Sequence, residues 1–532
     1  MTARILAHRH RLITDDNRKW WTLGSMCFAL FMIMLDNTVV NVALPSIQRD
    51  LHASLSALEW TMNAYTLTFA VLLVTGGRLG DIFGRRRMFL FGVVVFGLSS
   101  LLIGLAADDT MLVAFRAVQG IGAAFMMPAT LSLISNAFPP EQRGTAIGTW
   151  AGVSALALAI GPVVGGFLTE DVSWRAIFFI NPPIAVAAVA VTLFATRESR
   201  DETVARKVDY PGIAALTVGL TAFVLALIQG NSWHWGSPRV VALFAVAVLG
   251  IATFVAIERR VRVPMLDFAF FRSRTSAGAN LVAFLVTFAM FSQFFFMTLY
   301  MQNDLHYSPL QTGIRFLPST LVIIVMGPLA GRLTDRVGAR PLITLGLAVV
   351  ATALGIQSTL SVHSGYGLLL PGFILMGFGM GLVMSPMSTA AMNAVDRTKA
   401  GAASGVLSMS RMVGGSVGLA LMGALVTAIG RSDLNSSLPH VPVAVRNRIA
   451  TALGSGAAPT GHHISPTIVA ATKHAFVSAL GTGLEVGAAV ALIGAVVTWF
   501  LIKRTPNAPF PAPAQELPEP ASEARPVEVG VA

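Results

Sequence analysis

Gly77-Arg78-Leu79-Gly80-Asp81-Ile82-Phe83-Gly84-Arg85-Arg86-Arg87 is a short basic turn wedged between two long apolar runs. It recurs as Gly331-Arg332-Leu333-Thr334-Asp335-Arg336-Val337-Gly338-Ala339-Arg340, 254 positions later and again between apolar runs. The shared Gly, Arg, Leu, Asp, Gly and final Arg argue for a chain built from two related halves. A second segment agrees: Gly148, Gly152, Gly161 and Gly165 map onto Gly401, Gly405, Gly414 and Gly418 at an offset of 253.

Around these turns the chain is too apolar for a soluble protein. Only 12% of residues are charged and mean hydropathy is +0.70, where soluble chains carry about a quarter charged residues. The net charge of +11 falls in short clusters between apolar runs. It reads as orientation charge at a cytoplasmic membrane surface, not as a nucleic-acid face. The single cysteine, Cys27, excludes an intramolecular disulfide and a cysteine-based metal site. Arg4, Arg9, Arg11, Arg18 and Lys19 precede an apolar segment too long for a signal peptide and without a cleavage site, so it reads as a retained spanning helix.

Runs of about 20 residues, enough to cross roughly 30 Å of hydrocarbon, lie near 20–44, 57–77, 88–106, 111–134, 144–168, 175–196, 211–229, 239–257, 277–301, 311–332, 341–361, 367–391, 402–429 and 475–502. With both termini cytoplasmic, 27 of the 37 Lys and Arg face inward, two (Arg116 and Arg411) sit inside helices and eight lie outside, as the positive-inside rule requires. The expected fold is therefore an all-α integral membrane protein of fourteen transmembrane helices. It divides into a tail at 1–19, a six-helix bundle at 20–196, and a linker at 197–274 holding two extra helices. A second six-helix bundle follows at 275–503, with a long external loop at 430–474, and a disordered tail closes the chain at 504–532. His462 and His463 in the external loop read as solvated, and no metal is expected.

Asp36 lies well inside the first run. A carboxylate there costs about 2.5–3.5 kcal/mol on insertion scales and generally faces a cavity with work to do; it is a candidate proton carrier, or else it hydrogen-bonds a neighbouring helix. Arg116 in the fourth run is the matching cation. Neither residue is repeated in the other half: Met290 and Phe373 stand at the equivalent positions. Glu485 in the last run is a third proton-coupling candidate, or pairs with Arg411. In the basic turns Gly77, Asp81, Gly84, Arg85, Arg86, Asp335 and Arg336 read as a charge latch that breaks as the halves rock, or as topology signal with tight packing. Gly152, Gly161, Pro162, Gly165 and Gly166 allow close helix approach, with Pro162 bending the helix. Asn37, Asn41, Gln119, Gln293, Phe294, Tyr300 and Met384 are candidates for a substrate cavity; the phenylalanine and methionine stripes to which Phe294 and Met384 belong equally suit lipid or helix contact. No lysine follows a glycine in a phosphate-binding loop, so transport has to draw on a gradient.

These motifs resemble those of the major facilitator superfamily. Gly77 to Arg87 is similar to its loop between helices two and three, Arg116 with Gln119-Gly120 to its helix-four signature, and Gly152 to Gly166 to its helix-five antiporter signature. Leu35-Asp36 to Leu44-Pro45, Trp174-Arg175 with Phe179-Ile180-Asn181-Pro182-Pro183, and Tyr300-x-Gln302 with Ser308-Pro309 and Leu317-Pro318 resemble the fourteen-helix drug/proton antiporter branch of QacA/EmrB type. The resemblance implies alternating access between two six-helix bundles and efflux of hydrophobic, cationic or amphiphilic drugs against proton entry. It also implies no enzymatic activity, no cofactor beyond the proton gradient, and a cell-membrane location. Asp36, Arg116 and Asp81 match the family's coupling acid, helix-four arginine and loop aspartate. The run from Thr312 to Arg332 lacks the acid found in exporters of dications. A dedicated exporter or flippase for a lipid, siderophore or metabolite is the alternative, and a non-transporting sensor a third. Expected partners are small hydrophobic substrates, protons and the bilayer, with no nucleic acid and a monomeric chain.

Overall fold

A backbone surrounded by hydrocarbon has to satisfy its own hydrogen bonds, and helices do so segment by segment. The computed structural model describes residues 14, 17–53, 55–200, 208–261, 272–396, 399–455 and 465–503, which contain helices and no strand. The long helices are α1 (Arg18–Leu51), α2 (Leu55–Phe83), α3 (Arg85–Gly104), α4 (Asp109–Ala137), α5 (Pro140–Phe167), α6 (Asn181–Ala195), α7 (Tyr210–Trp233), α8 (Pro238–Glu258), α9 (Arg274–Leu299), α10 (Pro309–Val337), α11 (Ala339–Ser358), α12 (Tyr366–Asn393), α13 (Ala400–Ser437) and α14 (Pro466–Leu501). Among the described residues thirteen helices are long and apolar enough to cross a membrane. The expected fourteenth span, α5, is a 28-residue helix outside that set. Residues 1–13, 201–207, 262–271, His462, His463 and the tail from 504 lie outside the described residues.

The expected external loop at 430–474 needs correcting. Helix α13 runs on to Ser437, a further helix occupies Val443–Ser455, and α14 starts at Pro466. Polar side chains do not stop a helix whose apolar residues still find cover: Leu434, Leu438, Ala450 and Leu453 are all buried. Gly454 lies against Gly423 and Thr427, so this short helix folds back along α13. The sixth run is also broken, into a turn at Ala176–Phe179 and then α6, because Pro182 and Pro183 fit only at a helix start.

The two halves meet where α2 packs on α13 and α5 on α10. Both crossings are backbone against backbone. A Cβ added to Gly77 would collide with the Gly401 carbonyl, and one added to Gly331 with the Gly144 carbonyl. One turn along, Gly405 rests on Leu73 and Gly148 on Gly327. These contacts revise the glycine register: 254 positions separate Gly77 from Gly331, but 257 separate Gly144 from Gly401. Glycines spaced four apart match themselves after a slip of one helical turn, and only the partner helix fixes which turn is equivalent. Helices α7 and α8 pack on each other, and Leu216 and Leu220 of α7 cover Val71 and Val74 of α2 and Val406 of α13.

Candidate functional site

Asp36 sits midway along α1, and four other helices supply what surrounds it. Asp108 caps α4 by accepting from the Met111 amide at 2.7 Å, which places Arg116 about two turns into the span. Gly120 leaves no room for a side chain against Tyr65 and Thr68, and Thr68 donates to the Ala117 carbonyl at 2.8 Å. These contacts hold α4 against α2. The break before Asn181 starts α6 beside them. Arg116 Nη1 then lies 2.6 Å from Asp36 Oδ2 and 2.7 Å from Gln119 Oε1, and Gln119 Nε2 donates to Asp36 Oδ1 at 3.1 Å. Arg116 Nε donates to the Thr61 carbonyl at 3.0 Å, and its guanidinium lies 4.4 Å from the centre of the Tyr65 ring. Asn181 donates to Ser100 Oγ at 2.9 Å and reaches Asp36 at 3.5 Å. Asp36, Arg116, Gln119 and Tyr65 are all fully buried.

Burying an ion pair returns little net stability, because desolvation offsets the attraction. Here Gln119 and the Thr61 carbonyl hold the guanidinium in place beside the carboxylate. The sequence pointed to Asp36, Arg116 and Gln119; Tyr65, Thr61 and Ser100 carried no signal there, since an aromatic, a threonine carbonyl and a serine in apolar runs look like packing.

At the end bearing the basic turns, Asp81 is fully buried and accepts four hydrogen bonds. Two come from Arg85 (Nε at 2.8 Å and Nη2 at 2.7 Å) and two from the Gly401 and Ala402 amides at 2.8 and 2.7 Å. The acid therefore caps the positive end of α13 from the other half of the molecule. Gly84 has φ +113°, and the Glu198 carboxylate fills the space a side chain would need, accepting from the Arg86 and Arg87 amides at 2.9 and 3.3 Å. Asp335 lies against Gly144, and Arg336 is exposed. Arg143 donates to Asn393 at 2.8 Å and Ser385 to the Gly144 carbonyl at 3.1 Å, both across the halves.

The structure leaves other candidates elsewhere. Glu485 is exposed on α14, apart from the buried pair, and Arg411 donates to Ser388 instead of pairing with it. Tyr300 is wholly buried, with its hydroxyl donating to the Ser361 and Ser364 carbonyls, so it pins the turn between α11 and α12 and does not line a cavity. Gln293 is buried and bonds Gln357 at 3.1 Å. Phe294 is part-exposed on Phe316, and Met384 packs on the core. Asn37 donates to Ile33 and Asn41 to Asn37, each within α1. Of the signature glycines, Gly161 and Gly165 press against Thr38 and Val39, two and three residues beyond Asp36; Gly152 makes an ordinary contact with Ile324 and Gly166 faces open space. The side chain of Pro162 is outside the described residues.

The family model described as Major Facilitator Superfamily matches residues 26–419. The chain belongs to that superfamily. Among curated relatives, the tetracenomycin C resistance and export protein of Streptomyces glaucescens is 36% identical over 517 residues, covering 95% of each chain. The puromycin resistance protein of Streptomyces alboniger is 40% identical over 417 residues, 77% of this chain and 82% of that one. Among solved structures, the proton:xylose symporter XylE superposes with a TM-score of 0.60 at 13% identity, covering 93% of this chain and 98% of the symporter. This facilitator is thus a multi-pass membrane transporter and not an enzyme, and its relatives export or confer resistance to antibiotics.

A third cluster ties the end of the first half away from the basic turns. Trp174 Nε1 donates to Asp50 at 2.9 Å, and Arg175 pairs with the same carboxylate, stacks on Trp174 and donates to the Ala106 carbonyl at 3.1 Å. The hydrogen bonds from Trp174 and then Arg175 hold the Asp50 carboxyl below its usual range. A depressed acid contributes its stability above the unfolded value, about 3.9, and loses it as pH falls through the lower folded value. Trp174 fluorescence will therefore report loosening only below about pH 4, and Asp50→Asn will abolish that transition. A loosening centred at pH 6 would assign it to another group.

Proposed function

We propose that this transporter exports hydrophobic, drug-like molecules in exchange for protons by alternating access. The fully buried Asp36–Arg116 pair is the observation that carries the reading. A proton taken up by Asp36 removes its attraction for Arg116 and frees α1 and α4 to move against each other. The Asp81 cap and the glycine crossings close the opposite end while this happens. The glycines pressed on Thr38 and Val39 tie α5, which forms half of that closure, to the segment bearing Asp36. The proton gradient is the energy source, no cofactor takes part, and the chain works as a monomer with both termini in the cytoplasm. A dedicated exporter of one endogenous metabolite is the second reading, favoured by the match over 95% of each chain to a relative named for tetracenomycin C.

Everted vesicles given a pH gradient test the proposal. They are expected to accumulate tetracenomycin C, puromycin or unrelated hydrophobic dyes, to lose them on adding a protonophore, and to fail with Asp36→Asn at matched expression. Uptake of several unrelated compounds supports the broad reading, and uptake of one alone the dedicated reading. Uptake that ignores the protonophore would end the antiport proposal.

A further inference from the structure

We infer that Arg411 is a substrate-binding cation, and that this transporter takes flat aromatic molecules bearing an anionic acceptor such as a carboxylate or phenolate. The inference names the substrate class of the export reading above and rests on it.

Arg411 lies on α13 ten residues beyond Gly401, about 15 Å along the helix from the amides that Asp81 caps. It is 9% exposed. Its guanidinium donates to Ser388 of α12, its own carbonyl accepts from Thr287 of α9 at 2.8 Å, and its Nε is buried without a partner. No carboxylate stands within ion-pair distance among the described residues, whereas the buried Arg85 and Arg116 hold Asp81 and Asp36. A buried charge left without a counter-charge is costly. Glu485, the acid that sequence offered it, is exposed on another face. The missing negative charge therefore comes from a bound molecule.

The other wall of the site belongs to the opposite half. Trp150 of α5 places its ring centre 5.7 Å from the Arg411 guanidinium and is fixed by its Nε1 donating to Thr130 at 3.1 Å. At 5.7 Å the pair leaves no room for a ring between them, so an aromatic guest enters as the two halves part, stacking on the indole while its acceptor takes the Nε–H. Because Arg411 and Trp150 sit on different halves, such a guest bridges the surfaces that separate during transport. Asp36, the buried acid a cationic guest would need, is already held by Arg116 and Gln119.

Two dyes sharing one xanthene frame, anionic fluorescein and cationic rhodamine 123, test this by equilibrium binding to the purified full chain in nanodiscs. Native protein is expected to bind fluorescein at least about tenfold more tightly, the scale of one hydrogen bond to a charged group. Arg411→Gln will erase the preference, and Arg411→Lys will keep part of it, since lysine retains the charge but not the planar fork. Trp150→Leu will weaken both dyes and keep the preference. If Arg411→Gln does not fold, the lysine and leucine variants carry the test. Unchanged preference in a folded Arg411→Gln, or a native preference for rhodamine 123, would overturn the inference. Preference in binding without proton-driven flux supports the site and tells against the export reading alone.

Discussion

Replacing Arg116 with leucine will cost the folded protein about 3–5 kcal/mol, the usual penalty for stranding one member of a buried ion pair, and will stop proton-driven efflux. Asp36 loses its 2.6 Å partner, and Gln119 and the Thr61 carbonyl each lose a donor. Asp36→Asn is the contrasting change: it keeps the shape and leaves the amide's oxygen to accept from Arg116, so the fold survives while the proposed proton site disappears. Adding Asp36→Asn to Arg116→Leu is expected to restore part of the lost stability, because the stranded charge is gone. Unfolding of the four proteins in one detergent measures all of this. A loss under about 1 kcal/mol for Arg116→Leu, the range of an exposed pair, would show that the two residues do not share a buried charge site.

Asp81→Asn will shift the protein toward a state in which the end bearing the basic turns is open. Each of the four bonds to this carboxylate is charge-assisted, and such bonds contribute about 1.5–3 kcal/mol apiece. Only the two from the Gly401 and Ala402 amides cross the halves, and losing one of them moves the balance about tenfold or more. Gly401→Val will act in the same direction more strongly, since its side chain meets both the Gly77 carbonyl and the Asp81 carboxylate. Maleimide labelling of single cysteines placed near the α2–α13 crossing reads the opening, and efflux should fall with both variants. Labelling unchanged from native would remove Asp81 from any role in closure.

The fold was largely legible because hydrocarbon imposes length and internal hydrogen bonding on every span, and the repeated basic turn gave away the two halves. Asp36 and Arg116 were legible one by one, because a charge is conspicuous in an apolar run, but that they touch came only from the structure. Several other partners were not legible. Asn181 looks like the start of a proline-rich turn, Glu198 like one more linker charge, and Tyr300 like an outer cavity aromatic, until the hydrogen bonds show which neighbour each one meets. The glycine register failed by one turn because a pattern with period four carries no mark of its own origin.

Closure made by glycine has one further consequence. Gly77, Gly144, Gly331 and Gly401 have no rotamers to freeze when the two crossings come together. Ordering a long side chain costs up to about 2 kcal/mol of conformational entropy and ordering a glycine side chain costs none. In the proposed cycle the two faces therefore meet and part without that loss. The bias between open and shut is left to a few charged contacts, above all one carboxylate on one helix end, a balance small enough for one proton or one bound molecule to tip.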